Sequence, residues 1–259
     1  MRAKPPGGER AVATYLLVLA GVLLLYALVV QVWISLRVPL WGDEFDTIAP
    51  AFRSWRGGHS FWWQIGQYNA NPPGDNLVLR GYHRSGVLPW LRAASPELFW
   101  RLPYLMVFTA TLSAMFYGAW RWTDSLFIAF LAFATAISSP GLLEYGNVVR
   151  FYIWLAFFTT LLLWQFLQLA DRRKTGRHFF FSLVTTVAVC FHLVIAAIAY
   201  FFLVYTVVWL VFDVYKAGVR TLKRASTFFP RLLAGFLPFI MYKVELKHWL
   251  FIPHPWAKD

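Results

Sequence analysis

The chain has 259 residues, of which 59% are hydrophobic and only 14% are charged, and its mean hydropathy is +0.54. Soluble domains carry roughly 25% charged residues, so the composition argues against an ordinary soluble protein and favours a membrane protein. The net charge of +12 is positive, as nucleic-acid binding would require. However, the basic residues fall between apolar stretches, where membrane topology accounts for them, and nucleic acid is not an expected partner.

Repeated apolar stretches of about 20 residues are typical of membrane spans, which must cross roughly 30 Å of hydrocarbon with their backbone hydrogen bonds satisfied internally. The first stretch, Ala11–Leu36, is followed by no small-residue cleavage site and predicts a retained anchor. The run His178–Phe212 would exceed about 50 Å as one helix, so we expect two spans that turn near His192. The remaining predicted spans are Trp100–Ala119, Leu126–Ile137, Phe151–Leu169 and Leu232–Val244.

These spans predict an all-α fold, a polytopic membrane helical bundle of about seven spans that forms a single domain over residues 1–259. With seven spans, three segments rich in Lys and Arg lie on the same side of the membrane: Met1–Arg10, Asp171–His178 and Asp213–Arg231. The positive-inside rule makes that side cytoplasmic. We therefore expect a multi-pass protein of a bacterial inner membrane, with a cytoplasmic N-terminus and an external loop at residues 41–99.

The external loop is rich in Trp, Pro, Gly and Asn, and its aromatic residues are of the kind that settle at headgroup level. We expect one or two short amphipathic helices on the outer membrane face. The stretch Asn71–Asp75 predicts a rigid turn, because Pro72 and Pro73 fix φ and extend the preceding residues. A long structured loop in a compact protein is usually functional.

An acidic trio, Asp43, Glu44 and Asp46, follows the first span closely. One interpretation is a solvated helix start, where the helix dipole favours acids. The other is a catalytic site, in which a carboxylate takes the proton of an acceptor hydroxyl. Carboxylate oxygens also suit hard divalent ions, so a divalent metal ion at Asp43 and Glu44 is the one cofactor that the pattern leaves open.

A second set of candidates lies around Arg150, which enters an apolar helix. An ionisable residue at that depth is a functional candidate, and its guanidinium suits a phosphate or a carboxylate such as Glu144. Snorkelling to the headgroups is the alternative. His192 is more simply a core histidine. Three residues of the external loop are supporting candidates: Asn71, Asp75 and Arg80.

Five short elements, in this order, resemble the N-terminal half of the GT-C membrane glycosyltransferases, in particular the protein mannosyltransferase and aminoarabinose transferase branch. They are Trp41–Glu44, Asn71–Pro73, Pro96–Pro103 with its Arg-Leu-Pro triplet, Val149–Tyr152 and Phe191–His192. The family often has Gln or Glu just before the Arg-x-Tyr element, whereas this chain has Asn147 and Val148 there. Members usually run to several hundred residues with more spans, so the resemblance implies that this chain is a fragment, a minimal member or one half of a split enzyme.

The resemblance implies transfer of a sugar from a polyprenyl-phosphate carrier to an acceptor protein or glycolipid on the outer side. It implies that Asp43 is the general base and that Glu44 assists it or helps to hold a divalent ion. Arg150, Tyr152 and His192 would bind the donor phosphate. The alternative is a non-catalytic membrane subunit or lipid-binding partner of a cell-envelope glycosylation complex. A transporter is less favoured, because the spans lack a clear internal repeat.

Overall fold

The computed structural model describes residues 7–52 and 73–169 and, between 183 and 215, the positions 183–185, 187–188, 191, 194–195, 197–198, 201, 204, 208, 211–212 and 215. Every regular element within these residues is an α-helix, and the described part contains no strand. The predicted all-α class is therefore confirmed for the described part of the chain.

Within the described residues, two helices are long and apolar enough to cross a membrane: α1, Gly7–Arg37, and the helix Pro96–Thr123. Helix α1 ends just before Val38 and Pro39, as expected where a proline disfavours helical backbone in the preceding residue. The second helix begins earlier than the predicted span, because the Ser95 hydroxyl accepts a hydrogen bond from the Leu98 N–H at 3.4 Å and Pro96 occupies the first helical position.

The described residues of the predicted external loop contain three helices: α2, Gly42–Phe52; α3, Pro73–Arg84; and α4, Pro89–Ala94. The helix Pro96–Thr123 is then α5. The prediction of a turn over Asn71–Asp75 was wrong from Pro73 onward, because these residues form the first turn of α3. Proline in the first turn and an acid near the N-terminus both favour a helix start.

The remaining described helices are α6, Leu126–Ile137; α7, Pro140–Tyr145; and α8, Tyr152–Leu169. Helix α6 matches its prediction, but its 12 residues reach only about 18 Å, short of the roughly 30 Å of a bilayer core. The turn near His192 and the span Leu232–Val244 lie outside the described residues. The seven-span bundle therefore stays a prediction.

Contacts divide the chain into two compact units, residues 1–48 with 81–160 and residues 49–80 with 161–259. Each unit combines two separate segments, so the division does not define consecutive domains, and the single-domain prediction is untested. In the first unit, α1 packs against α5 and α6. The core includes Tyr104, Phe108 and Leu112 of α5, which are fully buried.

The side chain of Gln31 extends this packing by linking α1 to α7. It is buried in an apolar helix and donates a hydrogen bond to the Leu143 carbonyl at 2.7 Å. A polar side chain buried among apolar helices needs such a partner. The bond fixes the end of α1 against the segment that leads to Arg150.

Candidate functional site

The acidic trio begins α2, as the helix-start interpretation predicted. The Trp41 carbonyl accepts hydrogen bonds from the N–H groups of Glu44 at 2.9 Å and Phe45 at 3.1 Å. In return, Glu44 Oε2 accepts from the Trp41 N–H at 3.2 Å. A Glu at the third helical position that reaches back to the capping residue is half of a capping box.

Glu44 is not solvated, however, so that interpretation was wrong for this residue. Its side chain is 0% exposed and forms an ion pair with Arg101, which is 1% exposed. Arg101 Nε donates to Glu44 Oε1 at 3.1 Å and Nη2 donates to Oε2 at 2.7 Å. The two parallel bonds form the bidentate geometry in which arginine and carboxylate interact most strongly.

Arg101 also closes the end of α1. Its Nη1 donates to the Val38 carbonyl at 2.7 Å and to the Ser35 carbonyl at 3.4 Å, and its Nη2 donates to the Pro39 carbonyl at 3.2 Å. Carbonyls at a helix C-terminus lack intrahelical partners and carry partial negative charge. One guanidinium therefore satisfies both the buried carboxylate and the helix end.

The remaining bond of Glu44 reaches the loop between α7 and α8. Glu44 Oε1 accepts from the Val149 N–H at 2.9 Å, and Val149 is fully buried. This bond fixes the residue immediately before Arg150. The structure places the Arg150 guanidinium in an ion pair with the Asp43 carboxylate, whose side chains are 18% and 71% exposed, respectively.

Asp43 and Arg150 thus form an accessible acid–base pair on a buried support. The neighbouring residues Asp43 and Glu44 differ completely in environment, since one faces solvent and the other is enclosed. An exposed carboxylate beside a partly shielded guanidinium can accept a proton from a hydroxyl while the cation holds an anion.

Two tyrosines lie beside Arg150 in the chain. The rings of Tyr145 and Tyr152 are 4.6 Å apart at 45°, and those of Phe151 and Tyr152 are 4.5 Å apart at 49°. Tyr145 and Tyr152 are each 38% exposed. Tyr152, predicted to pack against a donor headgroup, therefore presents an aromatic surface at the start of α8.

The other predicted site residues lie on α2, α3 and α7 or outside the described residues. Glu144 is exposed on α7, and Asp75 and Arg80 lie on the part of α3 that belongs to the second unit. Asp46 is within α2, but its side chain lies outside the described part. Asn71 and His192 lie outside the described residues.

The donor set does not fit a resident divalent ion at Asp43 and Glu44. Both oxygens of Glu44 already accept two hydrogen bonds each. The Asp43 carboxylate, the second member of the predicted metal site, forms an ion pair with Arg150. Among the described residues there is no group of three or more His, Cys, Asp or Glu side chains suited to a metal ion.

The role of Arg101 was missed from the sequence, where it served only as part of a resembling triplet. A signal was present, because an arginine inside an apolar helix requires a buried partner. What the sequence did not supply was the partner, since Glu44 and Arg101 are 57 positions apart.

Comparisons with protein-family models, with curated proteins and with solved structures found no significant match to this chain.

Proposed function

We propose that the chain is a membrane glycosyltransferase that moves a sugar from a polyprenyl-phosphate donor to an acceptor hydroxyl on the external face. The observation that carries the proposal is the ion pair of Asp43 and Arg150, which combines a solvent-facing carboxylate with a partly shielded guanidinium. Asp43 lies in the first turn of α2, which follows the apolar helix α1 closely in the chain, and Arg150 lies two residues before α8.

The proposed reaction is a single displacement at the anomeric carbon. Asp43 takes the proton of the acceptor hydroxyl while the hydroxyl oxygen forms the new bond to the anomeric carbon. The bond between that carbon and the phosphate oxygen breaks, and its electron pair leaves with the phosphate. The donor is a phosphodiester with one negative charge, and the leaving polyprenyl phosphate gains another.

Arg150 is the proposed phosphate-binding residue. Because negative charge on the phosphate grows during bond cleavage, the guanidinium stabilises the transition state more than the bound donor. Binding of the donor requires Arg150 to exchange the Asp43 carboxylate for a phosphate oxygen. That exchange also releases the carboxylate for the acceptor proton.

Glu44 and Arg101 are assigned as positioning residues in this proposal. Glu44 is enclosed and fully hydrogen-bonded, so it acts on the reaction only through α2 and the Val149 N–H. Since the described donors do not fit a resident divalent ion, no step passes through a metal. The membrane setting is supported by α1 and α5, both long and apolar enough to span.

The test is a transfer assay with the full chain in proteoliposomes. Short-chain synthetic polyprenyl-phosphate sugars serve as donors, and membrane glycolipids or envelope proteins serve as acceptors. We expect Asp43→Asn and Arg150→Ala each to lower transfer by about 100-fold or more. Asp124→Asn and Arg121→Gln, which change exposed residues at the end of α5, are the matched controls.

Equal transfer by the wild type and by both site variants would contradict the proposal. Loss of transfer in the controls as well would also contradict it, because general damage would then explain the result. If the wild type transfers no sugar but copurifies with a larger glycosyltransferase, the non-catalytic subunit is the correct interpretation.

A further inference from the structure

A cavity of about 300 Å³ lies outside the Asp43–Arg150 site, where the end of α3, the turn at residues 85–88, α4 and the start of α5 meet. Its lining includes His83, Arg92 and Phe99. Small-molecule sites begin at about this volume. The cavity is therefore large enough for a small polar group with a short carbon chain.

The walls of the cavity are held by local structure. Gly86 and Leu88 adopt left-handed backbone with φ of 64° and 55°. The Ser85 hydroxyl donates to the Tyr82 carbonyl at 2.7 Å and accepts from the Val87 N–H at 3.3 Å. These features fix the turn between α3 and α4, so the cavity does not depend on a loose loop.

Aromatic packing fixes the opposite wall. The His83 ring stacks on Trp100, with centroids 5.5 Å apart and planes at 26°, and Tyr82 stacks on Phe99 at 4.6 Å. Both Phe99 and Trp100 are buried in the first turn of α5. The imidazole is thus held on a rigid element of the fold.

The ionisable side chains of the lining are all basic. They are His83 and Arg92, and the described lining contains no carboxylate. Burial lowers the pKa of His83, and the positive charges of Arg92 and Arg84 lower it further. The cavity consequently has a positive field that an anion would relieve.

We propose that this cavity binds a phosphate ester, held by the guanidinium of Arg92 and a ring N–H of His83, with its carbon portion against Phe99. A planar guanidinium matches two phosphate oxygens, which a lysine does not. The cavity adjoins the first turn of α5, a helix that is long and apolar enough to span a membrane. The ester is either a phospholipid headgroup or a soluble phosphate ester.

The test uses the purified full chain with ¹³C-labelled histidine, in which His83→Gln assigns the His83 resonance. Inorganic phosphate is titrated in detergent, and nanodiscs of phosphatidylcholine with and without phosphatidylglycerol are compared. A bound anion favours the charged imidazole, so we expect the pKa of His83 to rise by at least about half a unit. Arg92→Gln should weaken phosphate binding by about tenfold and abolish the rise.

Arg92 is exposed, so its replacement is not expected to disturb folding. Arg92→Lys keeps the positive charge but lacks the planar guanidinium, so it should bind phosphate with intermediate affinity. Arg121→Gln, an exposed arginine at the far end of α5, should behave as the wild type.

The two probes also separate the sources of the ester. A response to phosphatidylglycerol alone supports a lipid headgroup, and a response to inorganic phosphate supports a site for soluble esters as well. An unchanged His83 pKa with both probes overturns the proposal. The same response in Arg92→Gln as in the wild type overturns it too.

Discussion

Glu44 and Arg101 form a bidentate ion pair, 0% and 1% exposed, that joins the start of α2 to α5. Glu44 also accepts from the Val149 N–H, so the same carboxylate holds the loop that carries Arg150. The proposed base and the proposed phosphate ligand therefore share one buried support. The five residues involved lie in three separate parts of the chain: Asp43 and Glu44 in α2, Arg101 in α5, and Val149 and Arg150 in the loop before α8.

Breaking this pair should destabilise the protein strongly. We expect Glu44→Gln and Arg101→Met each to cost about 3–5 kcal/mol, because each leaves a buried charge without its partner. The double variant should cost less than the sum of the two, with a coupling of at least about 1 kcal/mol. Thermal unfolding in detergent measures these differences. Glu97→Gln, which alters an acid in the first turn of α5, is the control and should cost under about 1 kcal/mol.

Asp43 and the donor phosphate should compete for Arg150. The Asp43 side chain is 71% exposed, so the ion pair is worth only about 1 kcal/mol. We therefore expect Asp43→Asn to bind a short alkyl phosphate about threefold to tenfold more tightly than the wild type, although it transfers less sugar. Arg150→Ala should lose both the binding of the alkyl phosphate and the transfer of sugar. Weaker phosphate binding by Asp43→Asn would contradict the exchange of partners at Arg150 that the proposed mechanism requires.

Local signals predicted the long apolar helices better than the short ones. Helix α6 begins and ends at the predicted residues, and α8 differs from its prediction by a single residue. The predicted span Trp100–Ala119 was shorter than helix α5, although Ser95, Pro96 and Glu97 form a recognisable helix start. Apolar periods and capping residues act over a few positions, which is why they can be identified in one sequence.

The site was predictable only in part. The sequence indicated Asp43 and Arg150 individually, and their contact became visible only in the structure. Glu44 was interpreted with Asp43 because the two are adjacent, yet consecutive helical positions do not face the same direction. The bond from Glu44 to Val149 spans 105 positions. Such pairings depend on how helices pack, and no local pattern encodes them.

Gly146 is expected to tolerate no side chain. A Cβ at this position would lie 2.7 Å from Phe108 Cδ2 and 3.0 Å from the Leu142 carbonyl oxygen. Phe108 is fully buried and the carbonyl is backbone, so neither yields easily. Gly146→Ala should cost about 1–3 kcal/mol and reduce transfer, because the Arg150 loop would shift. At Gly141 a Cβ meets nothing within 4 Å, so Gly141→Ala is the matched control for unfolding and transfer.

His83 should make stability depend on pH. Burial, with Arg92 and Arg84, holds its pKa below the ordinary 6.5, so the unfolded chain binds more protons than the folded one below that pH. The stability associated with the neutral His83 ring is present above pH 6.5 and is lost as the pH falls through the pKa of His83 in the folded state. Unfolding midpoints at pH 7.5 and pH 5.5 should therefore differ less in His83→Gln than in the wild type. Arg92→Gln should reduce the difference partly, and an equal pH dependence in all three proteins would exclude His83 as its source.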